Sequence, residues 1–207
     1  MTVIAIDGPA GSGKSTIARA VAAELGLGHL DTGAMYRSVA WAALQAGVDT
    51  TDTDATAALA RTTTIEVGPD GVRVNGKDAT AAIRTEAVTR AVTAAASNPA
   101  VRAVMVAKQR AWIADHNGGV LEGRDIGTVV CPDATVKIYL VADPEVRAER
   151  RAAEHSEAVA NDMRRRDDAD SQRAVSPMMR AEDAVEIDTT HLSIDDVVSA
   201  VLGLVPA

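Results

Sequence analysis

Nine residues near the start of the chain constrain it more than any other stretch: Gly8, Pro9, Ala10, Gly11, Ser12, Gly13, Lys14, Ser15 and Thr16. A glycine, four residues and then Gly-Lys-Ser is the spacing of a phosphate-binding loop, whose glycines let the backbone wrap an anion with its N–H groups pointing inward. The flanks agree. Val3-Ile4-Ala5-Ile6 is a short apolar run of the kind that forms a strand buried on both faces. Ile17, Val21 and Leu25 recur every four residues and share one face of a helix. The N-terminus of that helix adds partial positive charge to the loop. Such a loop implies a nucleoside triphosphate, with Lys14 reaching its β- and γ-phosphates and Ser15 offering a hydroxyl to magnesium.

Length and composition narrow the setting. A chain of 207 residues supports one core with small insertions. Apolar volume comes from Ala, Val, Ile and Leu, since Phe is absent. A net charge of −8 argues against a general nucleic-acid binder. Lys14, Lys77, Lys108 and Lys137 are the only lysines, so arginine carries most of the positive charge. Its planar fork suits bidentate contacts to phosphate. Cys131 is the single cysteine, which excludes an intrachain disulfide, and it is expected to fill a core position. The chain runs directly into its first strand, with no leader and no apolar stretch long enough to span a bilayer, so a reducing cytoplasmic setting is expected.

Past the first helix, His29-Leu30 reads as a brief strand, and a helix is expected from about Gly33, capped by Thr32. Arg37 lies one turn further on, and a capped N-terminus beside an arginine makes a second phosphate site. An ordinary cap and a surface arginine account for this stretch equally well. Residues 49–54 read as a Thr/Asp-rich connection, residues 62–67 as a strand, Pro69-Asp70-Gly71 as a turn and Val72-Arg73-Val74 as the returning strand. This hairpin interrupts an alternating α/β pattern and reads as an inserted subdomain. Asn75-Gly76-Lys77-Asp78 has the wrong order for a GTPase base-reading motif and reads as a turn. Helices are expected over residues 85–96 and 99–115, the second opened by Pro99. Val101, Met105 and Trp112 are assigned to the core, while Thr93, Arg102 and Arg110, taken alone, read as surface.

Gly118 to Leu121 leads into a strand, followed at once by Glu122-Gly123-Arg124-Asp125. Charged residues directly after a buried parallel strand lie where α/β sheets bind ligands. Residues 136–140 form the next strand, and Pro144 opens a helix bearing Arg147, Arg150 and Arg151. A polar stretch and the charged run from Arg164 to Arg173 follow; arginines flanking such a stretch can close over a triphosphate. Residues 185–188 read as the last strand, and Ser193 as the cap of a final helix that buries Val197, Val198, Val201 and Leu202.

Taken together, GPAGSGKST, LDTGAMYR, IRTEAV, EGRDIGTVVCPDA, RRDDADSQRAV and TTHLSIDDV resemble, in order and over essentially the whole chain, the bacterial cytidylate kinases of the nucleoside monophosphate kinase family. The resemblance implies an α/β P-loop kinase with a five-stranded parallel sheet flanked by helices. It implies a core of about residues 1–32, 104–144 and 174–207, an inserted monophosphate-binding subdomain of about residues 33–103, and a short lid of about residues 145–173. It implies phosphorylation of CMP and dCMP by ATP with magnesium, in pyrimidine nucleotide metabolism, by a monomer that works on small molecules and not on nucleic acid or membranes. Gly8 to Thr16 and Arg150 then serve ATP, with Ser15 on the metal. Thr32, Arg37 and Arg124 fall on positions that hold the acceptor phosphate. Thr93, Arg102 and Asp125 fall on positions that face cytosine, and Arg166, Asp170 and Arg173 on sugar and phosphate positions at the lid base. Lys14, Arg124 and Arg173 are the catalytic candidates. Two features depart from the family pattern: Glu122 stands where many members carry Asp, and the lid is short.

Phosphoryl transfer asks little covalent chemistry of a protein; it needs two phosphates held in line, magnesium and positive charge around the moving group. Two competing functions remain in view. One is a P-loop kinase for another small acceptor, which a panel of acceptors with ATP would separate. The other is a non-catalytic nucleotide-dependent switch, which would bind nucleotide without acceptor-dependent turnover.

Overall fold

The first strand, β1 (Thr2–Asp7), is buried from Val3 onward because it runs between two parallel neighbours, β6 (Gly118–Gly123) and β7 (Val136–Val141). That placement explains its unbroken apolar run. A computed structural model describes residues 1–154, 165 and 167–206. Its five-stranded sheet has the order β2-β6-β1-β7-β8, with β2 at His29–Asp31 and β8 at Val185–Asp188; β7 and β8 are also parallel. The register sets Asp7 beside Gly123 on one side and Tyr139 on the other. The carboxyl ends of the three central strands are therefore level, and the P-loop and Arg124 leave the sheet at the same edge.

The chain forms two compact units, Met1–His29 with Ile113–Ala207, and Leu30–Trp112. In the first, α1 (Lys14–Leu25) buries Ile17, Ala18, Val21 and Ala22, and it ends at Gly26, whose φ of 63° suits the left-handed helix stop. These residues join Ile4, Ile6, Ile138 and Leu140 in one core. A fully buried Ile or Leu contributes about 1.5–3 kcal/mol. The last helix, α7 (Ile194–Leu202), packs Val197 and Val201 into the same core and starts on a capping box between Ser193 and Asp196. Between them, α6 (Pro144–Glu154) follows β7. Cys131 is only half-buried, at the end of the turn over residues 126–130, and so does not fill a core position.

The second unit contains α2 (Thr32–Ala46), α3 (Thr53–Thr62), a three-stranded antiparallel sheet, α4 (Glu86–Ser97) and most of α5 (Pro99–Asp115). Asp31, not Thr32, caps α2, its carboxylate accepting from the Ala34 amide at 2.9 Å. A full negative charge serves the positive end of a helix better than a hydroxyl. Residues 53–62 form a helix that was not expected; it takes in the last two residues of the expected connection and the first residue of the expected strand. Asp52 caps it, and Thr56, Ala57 and Ala60 line its buried face. The sheet is β3 (Ile65–Gly68), β4 (Gly71–Val74) and β5 (Lys77–Asp78). Asn75 and Gly76, with φ of 50° and 76°, make the tight turn between β4 and β5. The expected turn is present and returns a third strand. Val72, Val74 and Ile83 form a small core with Ala34, Ala42 and Ala79. Among the described residues, no helix is long and apolar enough to cross a membrane.

Candidate active site

The P-loop leaves β1 at Asp7 and enters α1 at Lys14. Gly8 has φ of 147°, and a Cβ there would lie 2.2 Å from the Leu140 carbonyl oxygen, so the loop hugs β7 too closely for a side chain. Inside the loop, Ser12 Oγ donates to the Pro9 carbonyl at 3.0 Å, and Lys14 Nζ donates to the same oxygen at 2.6 Å. Burial pushes the Lys14 ammonium down from its ordinary 10.5 to about 7. Arg124 pushes the same way, against the pull of Glu122, Asp167 and Asp7.

Glu122, the fifth residue of β6, is 3% exposed. Its Oε2 accepts from Ser15 Oγ at 2.7 Å, and its Oε1 lies 3.1 Å from His29 Nε2. Burial alone would raise its pKa, but these two hydrogen bonds and the charge of Lys14 hold the carboxyl below the usual range. The longer Glu side chain thus reaches the P-loop serine directly, and the helix-start hydroxyl and the ionised carboxylate supply the hard oxygens that suit magnesium.

Just past β6, Arg124 is held from three directions. Nη1 donates to the Gly8 carbonyl at 2.6 Å, Nη2 faces Asp167 Oδ1 at 3.1 Å, and Nε faces Asp170 Oδ2 at 3.0 Å. Asp167 also accepts from the Ala10 amide at 3.0 Å and pairs with Arg147 Nη1 at 2.6 Å, while Arg147 donates to the Ala10 carbonyl at 2.9 Å. Arg173 pairs with the other oxygen of Asp170 at 3.1 Å. Three arginines and two aspartates therefore interlock against the P-loop. Asp167 was not among the expected site residues, and Arg147 was expected only as one of the arginines that could close over a triphosphate. In sequence they sit within charge-rich segments that look like solvated surface.

Arg150 turns elsewhere. Its guanidinium donates to Thr189 Oγ1 at 3.0 Å and to the Thr189 carbonyl at 2.7 Å, just beyond β8. A cavity of about 400 Å³ opens here beside the loop, lined by Gly11, Gly13, Thr16, Arg150, Leu192 and Ile194 among others. Its walls combine P-loop backbone, apolar side chains and one guanidinium.

Asp125 is 5% exposed and opens a one-turn helix over Ile126–Val130. Asp7 shapes that turn, its two oxygens accepting from the amides of Ile126 at 2.8 Å and Gly127 at 2.7 Å. Burial raises Asp7 from its ordinary 3.8 to about 6, and Asp125 pushes the same way, against these two amides and Lys14.

The remaining expected residues, Arg166 apart, belong to the second unit. Thr32 is buried in the first turn of α2. Arg37 is 8% exposed and donates to Thr89 Oγ1 at 3.0 Å and to the Ile83 carbonyl at 3.3 Å. Arg102 is 2% exposed, and so is not a surface residue; it donates to the Ala96 carbonyl at 3.2 Å and stacks its guanidinium 5.2 Å from the Tyr36 ring centre. Thr93 is half-buried on α4, Trp112 is half-buried, not core, and Arg110 is exposed. Arg166 lies outside the described residues.

A family model described as cytidylate kinase matches residues 4–207. A cytidylate kinase of Geobacillus kaustophilus is 48% identical, over 98% of this chain and 95% of that one. Those of Streptomyces avermitilis and Rhodococcus jostii are each 47% identical over 98% of this chain, covering 92% and 94% of their own lengths. Among solved structures, an uncharacterized protein from Eubacterium ventriosum matches with a TM-score of 0.55 at 12% identity, over 98% of this chain and 97% of that one. A sugar kinase from Janibacter matches at 0.50 and 13% identity, over 100% and 99%. At such identities the structural matches establish the fold alone.

Proposed function

The chain belongs to the cytidylate kinase family, and from that premise we propose how its residues carry phosphate from ATP to CMP. It is a phosphotransferase: the bond between the γ-phosphorus and the β,γ-bridging oxygen of ATP breaks, and one forms to an oxygen of the CMP phosphate, giving ADP and CDP. The deoxynucleotide dCMP is proposed as a second acceptor. Gly8 to Thr16 wrap the donor phosphates with backbone amides. Lys14, on the first turn of α1, follows the charge of the transferring group. Magnesium, when bound, would supply positive charge that offsets the donor phosphates; Ser15 would hold it, with Glu122 behind Ser15. The cavity bounded by Arg150 and Thr189 suits the donor base, whose flat face can stack on a guanidinium.

Thr32, Arg37 and Arg124 are assigned to the acceptor phosphate. Thr93, Arg102 and Asp125 are assigned to cytosine, and Arg166, Asp170 and Arg173 to its sugar and phosphate. Arg124 and Arg173 are the further catalytic candidates. No separate base is required, because the attacking phosphate oxygen is already anionic. We propose further that the protein works as a monomer in the cytoplasm, with small molecules and not nucleic acid as partners, in keeping with its net charge of −8.

The observation that carries this reading is the Arg124 guanidinium donating to the Gly8 carbonyl at 2.6 Å, a position beside the P-loop that supports a phosphate-binding role for it. The test is ADP formation from ATP with CMP, dCMP, UMP, AMP, GMP and a sugar acid. CMP and dCMP should support turnover far above the rest. Nucleotide binding without acceptor-dependent ADP formation would overturn the reading.

A further inference from the structure

Three side chains form a line that ends on the P-loop. His29, the first residue of β2, presents Nε2 3.1 Å from Glu122 Oε1, and Glu122 Oε2 accepts from Ser15 Oγ at 2.7 Å. The Glu122 side chain is 4% exposed and that of His29 20%. The Glu122 carboxylate lies between a hydroxyl on one oxygen and an imidazole nitrogen on the other, and as an acceptor it takes a hydrogen from each, with Nε2 as the donor on the His29 side. The Ser15 hydroxyl has one hydrogen and two lone pairs. Donating that hydrogen to Glu122 fixes the rotor and turns the lone pairs away from the carboxylate, as a cation ligand requires. A glutamate has three side-chain torsions, and a hydrogen bond on each oxygen restrains its carboxylate from both sides. The bond from His29 supplies one of these two restraints.

We propose that His29 is a positioning residue for the donor-side magnesium: it locks Glu122, and Glu122 locks the Ser15 hydroxyl in the orientation that accepts the ion. The inference rests on the reading of Ser15 as a magnesium ligand. It assigns His29 no contact with nucleotide or metal. Its effect is therefore expected in the metal dependence of nucleotide binding, apart from the chemical step.

The experiment is calorimetric titration with a non-hydrolysable ATP analogue, with and without magnesium chloride, on the full chain. In the wild type, magnesium should tighten binding. His29→Leu should lose about tenfold of that gain, as removal of a residue supporting a metal ligand does, with metal-free affinity unchanged. His29→Gln, whose amide N–H can still reach Glu122, should recover most of it. In a Glu122→Gln background, His29→Leu should add nothing further. Should His29→Leu fail to fold, His29→Asn, with a shorter amide, takes its place in the comparison. Equal weakening with and without metal would make His29 a scaffold residue and overturn the inference. A full magnesium gain in His29→Leu, beside a lost gain in Ser15→Ala, would overturn it while leaving Ser15 on the metal. A full gain in Ser15→Ala, or none in the wild type, would remove the magnesium reading and the inference with it.

Discussion

The carboxylate of Asp167 stands 3.1 Å from the guanidinium of Arg124, with the two side chains 11% and 14% exposed. The same carboxylate holds Arg147 and the Ala10 amide of the P-loop. Little water is available to replace it, so its removal leaves buried positive charge without its main partner. Asp167→Asn is therefore expected to lower unfolding stability by about 3 kcal/mol, at the low end for a broken buried pair because Asp170 still faces Arg124. Thermal unfolding should show a drop of roughly 10 °C. ATP should raise the melting temperature of the variant more than that of the wild type, because phosphate supplies the missing negative charge. Equal melting temperatures in the absence of ligand would rule out this role.

Lys14 is expected to make nucleotide binding a proton-linked event. With its pKa at about 7, the ammonium is charged at pH 6 and largely neutral at pH 8. Donor phosphates beside it favour the charged form and raise that pKa. Binding at pH 8 should therefore take up close to one proton per nucleotide, and affinity should weaken as pH rises above about 7. Calorimetry in buffers of different ionisation enthalpy measures the uptake. Lys14→Arg stays charged throughout and should show almost none. Absence of uptake in the wild type at pH 8 would place a fully charged lysine in the free protein.

The buried carboxyl of Asp7 gives stability the opposite pH dependence from that of paired surface acids. Its pKa in the folded chain is raised from 3.8 to about 6, so its contribution is complete below about pH 4 and is lost as pH rises through 6. The shift corresponds to about 3 kcal/mol. Other carboxylates also titrate in this window, so Asp7→Asn is the reference. Relative to that variant, the wild type should gain up to about 3 kcal/mol between pH 7 and pH 4 in urea unfolding. A constant difference across that range would mean that Asp7 titrates normally.

Arg37 tests the acceptor side. Its buried guanidinium is held by Thr89 and the Ile83 carbonyl. If it binds the CMP phosphate, Arg37→Ala should raise the KM for CMP by about 1.5–3 kcal/mol, roughly ten- to a hundredfold, with the KM for ATP little changed. Arg37→Lys keeps the charge and loses the fork, and should fall between. Equal rises in both constants would move Arg37 away from the acceptor.

The P-loop, the alternation of strands and helices, and the Ser193 cap were legible because each rests on a short local pattern. The helix at Thr53–Thr62 was not, because its buried face is built from Thr56, Ala57 and Ala60 and gives almost no apolar periodicity. Arg102 reads as surface until Tyr36 supplies a ring to stack on, a contact between helices that no local spacing encodes. The same holds for Asp167 on Ala10, a bond between residues 157 positions apart, and for His29 on Glu122, 93 apart. Local chemistry identified the P-loop. The carboxylates that set the charge and geometry of its arginines and lysine become visible only when the sheet levels the ends of β1 and β6.

Asp125 bears on base choice. It is buried, it directly follows Arg124, and its turn is pinned through the Ile126 and Gly127 amides by Asp7. Cytosine carries an amino group at C4, a donor, where uracil carries a carbonyl oxygen, an acceptor. An ionised carboxylate accepts and cannot donate. If Asp125 faces C4, CMP gains a charge-assisted bond, whereas UMP leaves the buried carboxylate opposed to a lone pair, at a cost of about 2–4 kcal/mol in specificity. If Arg102 donates to ring acceptors, which both pyrimidines partly share, it should matter more for binding than for discrimination. Asp125→Asn is the sharper probe, because an amide can present either its oxygen or its NH₂. CMP should lose kcat/KM, UMP should lose less or gain, and the ratio between them should narrow by about tenfold or more. If both nucleotides lose efficiency in parallel and the ratio stays at its wild-type value, Asp125 holds the turn and the base is selected elsewhere.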